Sequence, residues 1–183
     1  KSTPPPKNSS DKTLREMMSI EKLPQNRKFA DAGDDIKKYF KAYLDEHGLE
    51  FPKEEISTLL HDSRPILYNL KYHYNRPRPA QVADAMGLKF HEEPLTTAKT
   101  PSYPSGHATE GRFISLYLAD RVPFEHKGNI KKIGDDIGNS RQIGGVHYPS
   151  DTEFGHQLAG ALYTHYKKET GQIKEKVNFQ DVI

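Results

Sequence analysis

The sequence contains no cysteine and no tryptophan among its 183 residues. A disulfide-stapled scaffold, a thiolate zinc site and a cysteine nucleophile are therefore excluded, and any chemistry must come from His, Asp, Ser, Lys or Arg. A large excess of either charge is also missing. The 27 Lys and Arg face 25 Asp and Glu, a formal +2, so composition points to no electrostatic partner, and the length fits one domain rather than two. Lys127, Lys131 and Lys132 are offset by Asp135 and Asp136 and read as a solvated helix face, not a nucleic-acid patch. Long apolar runs are absent too: the stretch from Phe113 to Ala119 falls far short of the roughly 20 residues that span a bilayer, so no integral membrane segment is expected. What is present is aromatic bulk. Ten Tyr and eight Phe can build a modest core although only 34% of residues are hydrophobic.

Residues 1–11 (KSTPPPKNSSD) are Pro- and Ser-rich and read as a flexible polar tail, of the sort left when a leader is removed, before a single domain over 12–183. Thr13 and Glu16 have the spacing of a capping box for a short helix carrying Leu14, Met17 and Met18. From Asn26 to His47 the apolar positions Phe29, Ala32, Ile36, Tyr39 and Tyr43 keep a three-four spacing, which predicts one helix stopped by Gly48. Pro52 opens another that runs to about Tyr74, with Pro65 expected to kink or restart it, and a short helix follows to Met86. Leu88 to Tyr103 has no period and reads as a long loop, a place for substrate contacts. Helices are predicted again over Ser105 to Arg121, closed by Pro123, and over Asn129 to Gly144. Another follows a second capping box at Ser150 and Glu153. No segment reads as a strand, so the fold class is an all-α bundle.

Three clusters hold more polar residues than helix building needs. Lys71, Arg76 and Arg78 lie at a helix end, where cations complement the macrodipole or, alternatively, clamp an oxyanion, Lys71 as a point charge and Arg78 as a planar fork. Ser102-Tyr-Pro-Ser-Gly-His107 enters a helix, so Ser105 is an N-cap; the free amides beside Gly106 could also cradle an anion, with His107 adjacent. In the segment from Ser140 and Arg141 to Asp151, His147 sits in a tight connection and Asp151 lies in the first turn of the next helix. That carboxylate can merely cap, or it can bend back to accept the His147 ring N–H and leave the other nitrogen as nucleophile or base.

In order, these residues spell Lys-x6-Arg-Pro, Pro-Ser-Gly-His and Ser-Arg-x5-His-x3-Asp. The chain resembles the type 2 phosphatidic acid phosphatase and vanadium haloperoxidase superfamily, and SYPSGH with GVHYPSD is most similar to its soluble bacterial nonspecific acid phosphatases. The resemblance implies the compact helical bundle of that superfamily and metal-independent hydrolysis of soluble phosphate monoesters through a phosphohistidine. It implies His147 as nucleophile, Asp151 as its orienter, and His107 as the acid for the leaving group. Lys71, Arg78, Ser105, Gly106 and Arg141 would hold the phosphoryl oxygens. No cofactor is implied; vanadate would be an inhibitor or, in the haloperoxidase alternative, the cofactor, and a non-catalytic phosphate-binding module is a further alternative. A periplasmic or secreted location and a possible homo-oligomer are expectations of the resemblance as well. His61-Asp62 resembles the metal-binding pair of HD-type phosphohydrolases, but without an ordered set of further ligands it reads as a solvated helix pair.

Overall fold

In the computed structural model, residues 3–170 are described, and among them the chain forms eight α-helices and no strand. In order these are α1 (Asp11–Glu21), α2 (Arg27–Ala32), α3 (Ile36–Glu46), α4 (Lys53–Tyr74), α5 (Pro79–Ala85), α6 (Gly106–Ala119), α7 (Phe124–Ile143) and α8 (Pro149–Thr170). The all-helical class is as expected from the sequence. Helix α6 is the centre of the bundle, packed along α7 and α8, while α3 and α4 close the same core from the other side. Phe40, Ile66, Phe113, Leu118, Ile137 and Leu162 are all nearly inaccessible in that core, each contributing roughly 1.5–3 kcal/mol of burial. A smaller core of Met17, Ile20, Val82, Ala83 and Tyr148 ties α1 to α5 and to the connection before α8.

Two glycines decide how closely the parts approach. A Cβ on Gly134 would lie 2.7 Å from Ser115 Oγ and 3.0 Å from the Gly111 carbonyl, so α7 can cross α6 at this depth only without a side chain there. Gly145 has φ +74, and a Cβ would fall 2.3 Å from the His91 carbonyl, which fixes glycine in the turn that delivers His147.

Several boundaries differ from expectation. The helix predicted over Asn26 to His47 is broken: Gly33 ends α2, and the Asp35 carboxylate starts α3 by accepting the Lys38 N–H at 3.1 Å. The spacing of Phe29, Ala32, Ile36 and Tyr39 is helical straight across the break, so periodicity alone hides it, although Ala32 is exposed and Ala30 is the buried alanine of α2. At Pro65, where a kink or restart is expected, the chain continues: α4 runs through the proline as one helix. Helix α7 begins five residues earlier than Asn129, directly after Pro123; its first residue, Phe124, is 85% exposed, so the apolar spacing does not mark that turn. Neither capping box forms. Ser10 caps α1 by accepting from Thr13 N at 3.2 Å, while Glu16 is buried elsewhere. Helix α8 opens on Pro149, whose missing N–H costs nothing at a first turn, and Ser150 faces inward. Residues of the N-terminal polar segment touch the bundle, with Tyr103 donating to the Thr3 carbonyl at 2.6 Å. The last thirteen residues of the expected domain, 171–183, lie outside the described residues.

Candidate active site

Helix ends carry most of the side chains expected at the site into one cavity of about 570 Å³. Lys71 comes from the last turn of α4, and Asn75, in the left-handed conformation with φ 46, turns the chain so that Arg78 follows at the start of α5. Gly106 and His107 come from the first turn of α6, Arg141 from the last turn of α7, and His147 from the connection before α8. All six line the cavity. Two expected residues do not. Asp151 is wholly buried behind His147, and Ser105 is wholly buried with its hydroxyl accepting the Ala108 N–H at 3.2 Å, so it acts here as the N-cap of α6.

The histidine tautomer follows from its partners. Arg78 Nη1 can only donate, and it sits 2.9 Å from His147 Nε2, so that nitrogen carries a lone pair and Nδ1 carries the proton. Nδ1 donates to Asp151 Oδ2 at 3.1 Å. The Asp151 carboxylate is itself held by the Tyr148 N–H at 2.9 Å, by the Ser102 hydroxyl and by Arg76 Nη1 at 2.7 Å. His107 Nε2 donates to the Asp34 carbonyl at 2.9 Å, which leaves Nδ1 as its other ring nitrogen for exchange with a ligand.

Positive charge is concentrated where no protein anion answers it fully. Lys71 is 3% exposed, and burial together with the neighbouring Arg78 pushes its ammonium down to about 7. Burial also lowers Arg78 to about 10 and lowers Arg141, although Asp34 pairs with Arg141 Nη1 at 2.8 Å. Burial, then Arg141, brings His107 down to about 4; burial, then Arg78 and Lys71, holds His147 well below its ordinary value. Asp151 is raised to about 6 by burial, against the opposing pull of Arg76 and its hydrogen bonds. A dianion in the cavity would satisfy this arrangement better than water does, because it supplies the counter-charge that burial denies the cations.

Four further residues around the site are not among the site residues expected from the sequence. Asp34, freed by the break between α2 and α3, binds Arg141 and holds His107. Ser102 touches both Asp151 and, at 3.4 Å, His147 Nδ1. Arg76 and Glu16 lie behind Asp151. Of these, Arg76 and Ser102 stood inside the polar clusters, whereas Asp34 and Glu16 are brought in only by tertiary packing. Among the described residues no three His, Asp or Glu side chains come together as metal ligands, and His61 lies 3.5 Å from Asp62 on an exposed helix face.

Comparison with known proteins gives relatives of two kinds. An acid phosphatase of Zymomonas mobilis subsp. mobilis is 36% identical over 89 residues, covering 49% of this chain and 33% of the relative. Non-specific acid phosphatases of Salmonella typhimurium and Providencia stuartii are 28% and 40% identical over 114 and 68 residues, covering 59% and 37% of this chain and 45% and 27% of theirs. The chain thus spans less than half the length of the curated relatives it matches. The crystal structure of a transmembrane PAP2 type phosphatidylglycerolphosphate phosphatase from Bacillus subtilis shares the fold, with a TM-score of 0.59 at 20% identity over 91% of this chain and 90% of that one. No helix among the described residues is long and apolar enough to cross a membrane. Residues 59–169, which hold Lys71, Arg78, His107, Arg141, His147 and Asp151, match the model of the PAP2 superfamily, and to that superfamily the chain belongs.

Proposed function

We propose that the protein is a metal-independent phosphoric monoester hydrolase, acid phosphatase-like, that works through a phosphohistidine on His147. The observation that carries this reading is the His147 tautomer: Asp151 accepts the Nδ1–H, so Nε2, held by Arg78 Nη1, keeps its lone pair beside a cavity lined by Lys71, Arg78 and Arg141. The acid phosphatase relatives support the reaction class.

An incoming phosphate ester draws Arg78 Nη1 from His147 Nε2 onto a phosphoryl oxygen, which frees the lone pair. Nε2 attacks phosphorus as the bond to the ester oxygen breaks, and His107, protonated by the pull of the dianion, gives its proton to the departing alkoxide. Water then attacks phosphorus as the P–Nε2 bond breaks and its electron pair returns to His147, His107 takes a proton from the water, and inorganic phosphate leaves. Lys71, Arg78, Arg141 and the amides at the start of α6 neutralise charge on the equatorial oxygens throughout, the main requirement of phosphoryl transfer. Nothing in these steps calls for a divalent ion.

His147→Ala tests the reading on a soluble chromogenic phosphate ester in the presence of a chelator. Turnover should vanish in the variant while inorganic phosphate still binds through the remaining cations. Activity surviving in His147→Ala, or loss of wild-type activity on chelation that a divalent ion restores, would overturn it.

A further inference from the structure

Behind Asp151 lies a buried charge cluster that the phosphoryl chemistry leaves unused. Arg76 is 2% exposed. Its Nη1 donates to Asp151 Oδ1 at 2.7 Å and to Ser150 Oγ at 2.8 Å, and its Nη2 donates to Glu16 Oε2 at 3.3 Å. The guanidinium stacks 3.8 Å above the Tyr148 ring. Glu16 also accepts the Ser150 N–H and the Ser150 hydroxyl, each at 2.8 Å, so it supplies the anion at the first turn of α8. It comes from α1, outside the 59–169 segment that matches the superfamily.

We propose that Glu16 and Arg76 are positioning residues that act on the His147–Asp151 pair with opposite sign: Arg76 keeps Asp151 ionised, and Glu16 shares Arg76 so that Asp151 remains a strong acceptor for the His147 N–H. The inference rests on the phosphohydrolase reading for its kinetic arm alone. Electrostatics fixes the directions. Removing the Arg76 cation makes the pair hold a proton more tightly, and removing the Glu16 anion makes it hold one less tightly. The other groups facing the pair are the same in every variant: Lys71 from α4, Arg78 at the head of α5, Ser102 from the loop, His107 from α6 and Arg141 from α7. A purely structural role for Glu16 and Arg76 predicts weaker activity with no ordered change in proton affinity.

The test compares Glu16→Gln, Arg76→Gln and Arg76→Lys by the pH profile of kcat/KM and by the ring-nitrogen NMR shifts of His147. Arg76→Gln should move the limb of the profile that reports the His147–Asp151 pair up by about 1 pH unit or more, the range for a contacting opposite charge. Glu16→Gln should move it down by less, because the guanidinium lies between, and Arg76→Lys should return it toward wild type. In the NMR arm, wild type and Glu16→Gln should show the proton on Nδ1 near about pH 7, and Arg76→Gln should lose that single form. Should Arg76→Gln fail to fold, the direction of the Glu16→Gln shift decides. Shifts of the same sign, or limbs and tautomer unchanged by both neutralising variants, would overturn the proposal. A wild type that turns over no ester would refute the phosphohydrolase reading instead, leaving the NMR arm to decide the relay.

Discussion

Replacing Lys71 with methionine should stabilise the empty protein while destroying its catalysis. The ammonium is 3% exposed, it shares a cavity with Arg78 and Arg141, and its value is moved from 10.5 to about 7. That displacement corresponds to roughly 5 kcal/mol of strain on the charged form, an upper bound for what removing the charge releases. Against it stands the hydrogen bond from Nζ to the Pro101 carbonyl at 2.7 Å, whose loss costs about 1–3 kcal/mol. The net expectation is a gain of about 1–3 kcal/mol, within the range seen when buried charges give way to apolar side chains of similar volume. At this chain length it raises Tm by roughly 2–10 °C. The sign with pH is fixed. Unfolded Lys71 keeps its proton to about 10.5 whereas the folded side chain releases it above about 7, so the wild type gains stability as pH rises through that window. The advantage of Lys71→Met is therefore fullest below about pH 7 and fades toward about pH 10. Thermal melts of both proteins without phosphate, at several pH values, measure this. Turnover should fall by about a hundredfold or more, the usual effect of losing one donor to transition-state charge. A variant less stable than wild type near neutral pH, or a difference that ignores pH, would refute the picture of an empty cradle strained by its own cations.

Other expectations follow from the same geometry. Vanadate should inhibit competitively, because a five-coordinate vanadate can bond His147 Nε2 while Lys71, Arg78 and Arg141 hold its oxygens; inhibition that His147→Ala leaves unchanged would contradict this. Because His107 lies at about 4 in the empty site and a bound dianion raises it, the alkaline limb of kcat should lie at higher pH than that of kcat/KM. In kcat/KM, which reports formation of the phosphohistidine, His107→Ala should remove that limb for esters of poor leaving groups and matter much less for a nitrophenyl ester, while kcat falls for both as hydrolysis slows; equal losses of kcat/KM on both substrates would show that His107 holds the phosphoryl group and does not donate to the leaving group. Gly145→Ala should destabilise the fold by several kcal/mol, since its Cβ meets the His91 carbonyl at 2.3 Å with φ +74, and denaturant unfolding checks it.

How far the sequence could be read depended on whether neighbours in space were neighbours in the chain. His147 and Asp151 stand four residues apart at a helix start, so their pairing was legible, as were the helix ends that bring Lys71, Gly106 and Arg141 to the cavity. Asp34 was hidden because the apolar spacing from Phe29 to Tyr39 reads as helical straight through Gly33; the Gly-Asp-Asp sequence was the local signal, a helix stop followed by a cap. Glu16 has the spacing of a capping residue, and only the docking of α1 on Tyr148 and Val82 turns it toward Ser150 and Arg76. Ser150 was misread for the same reason: its hydroxyl serves a buried network that local propensity cannot anticipate. Arg76, between two prolines' worth of extended chain and a helix end, looked like one more cation for the helix terminus, yet it carries the charge behind the site.

The most direct measurement of the central claim is chemical. The protein is mixed for milliseconds with a phosphate-labelled aromatic ester and quenched in alkaline detergent, in which phosphohistidine survives, and the labelled peptide is then sequenced. The account predicts label on the ring of His147 in the wild type, accumulating in His107→Ala when hydrolysis of the intermediate is slowed, and none in His147→Ala. Label on a serine, or turnover with no labelled protein at any time, would contradict it.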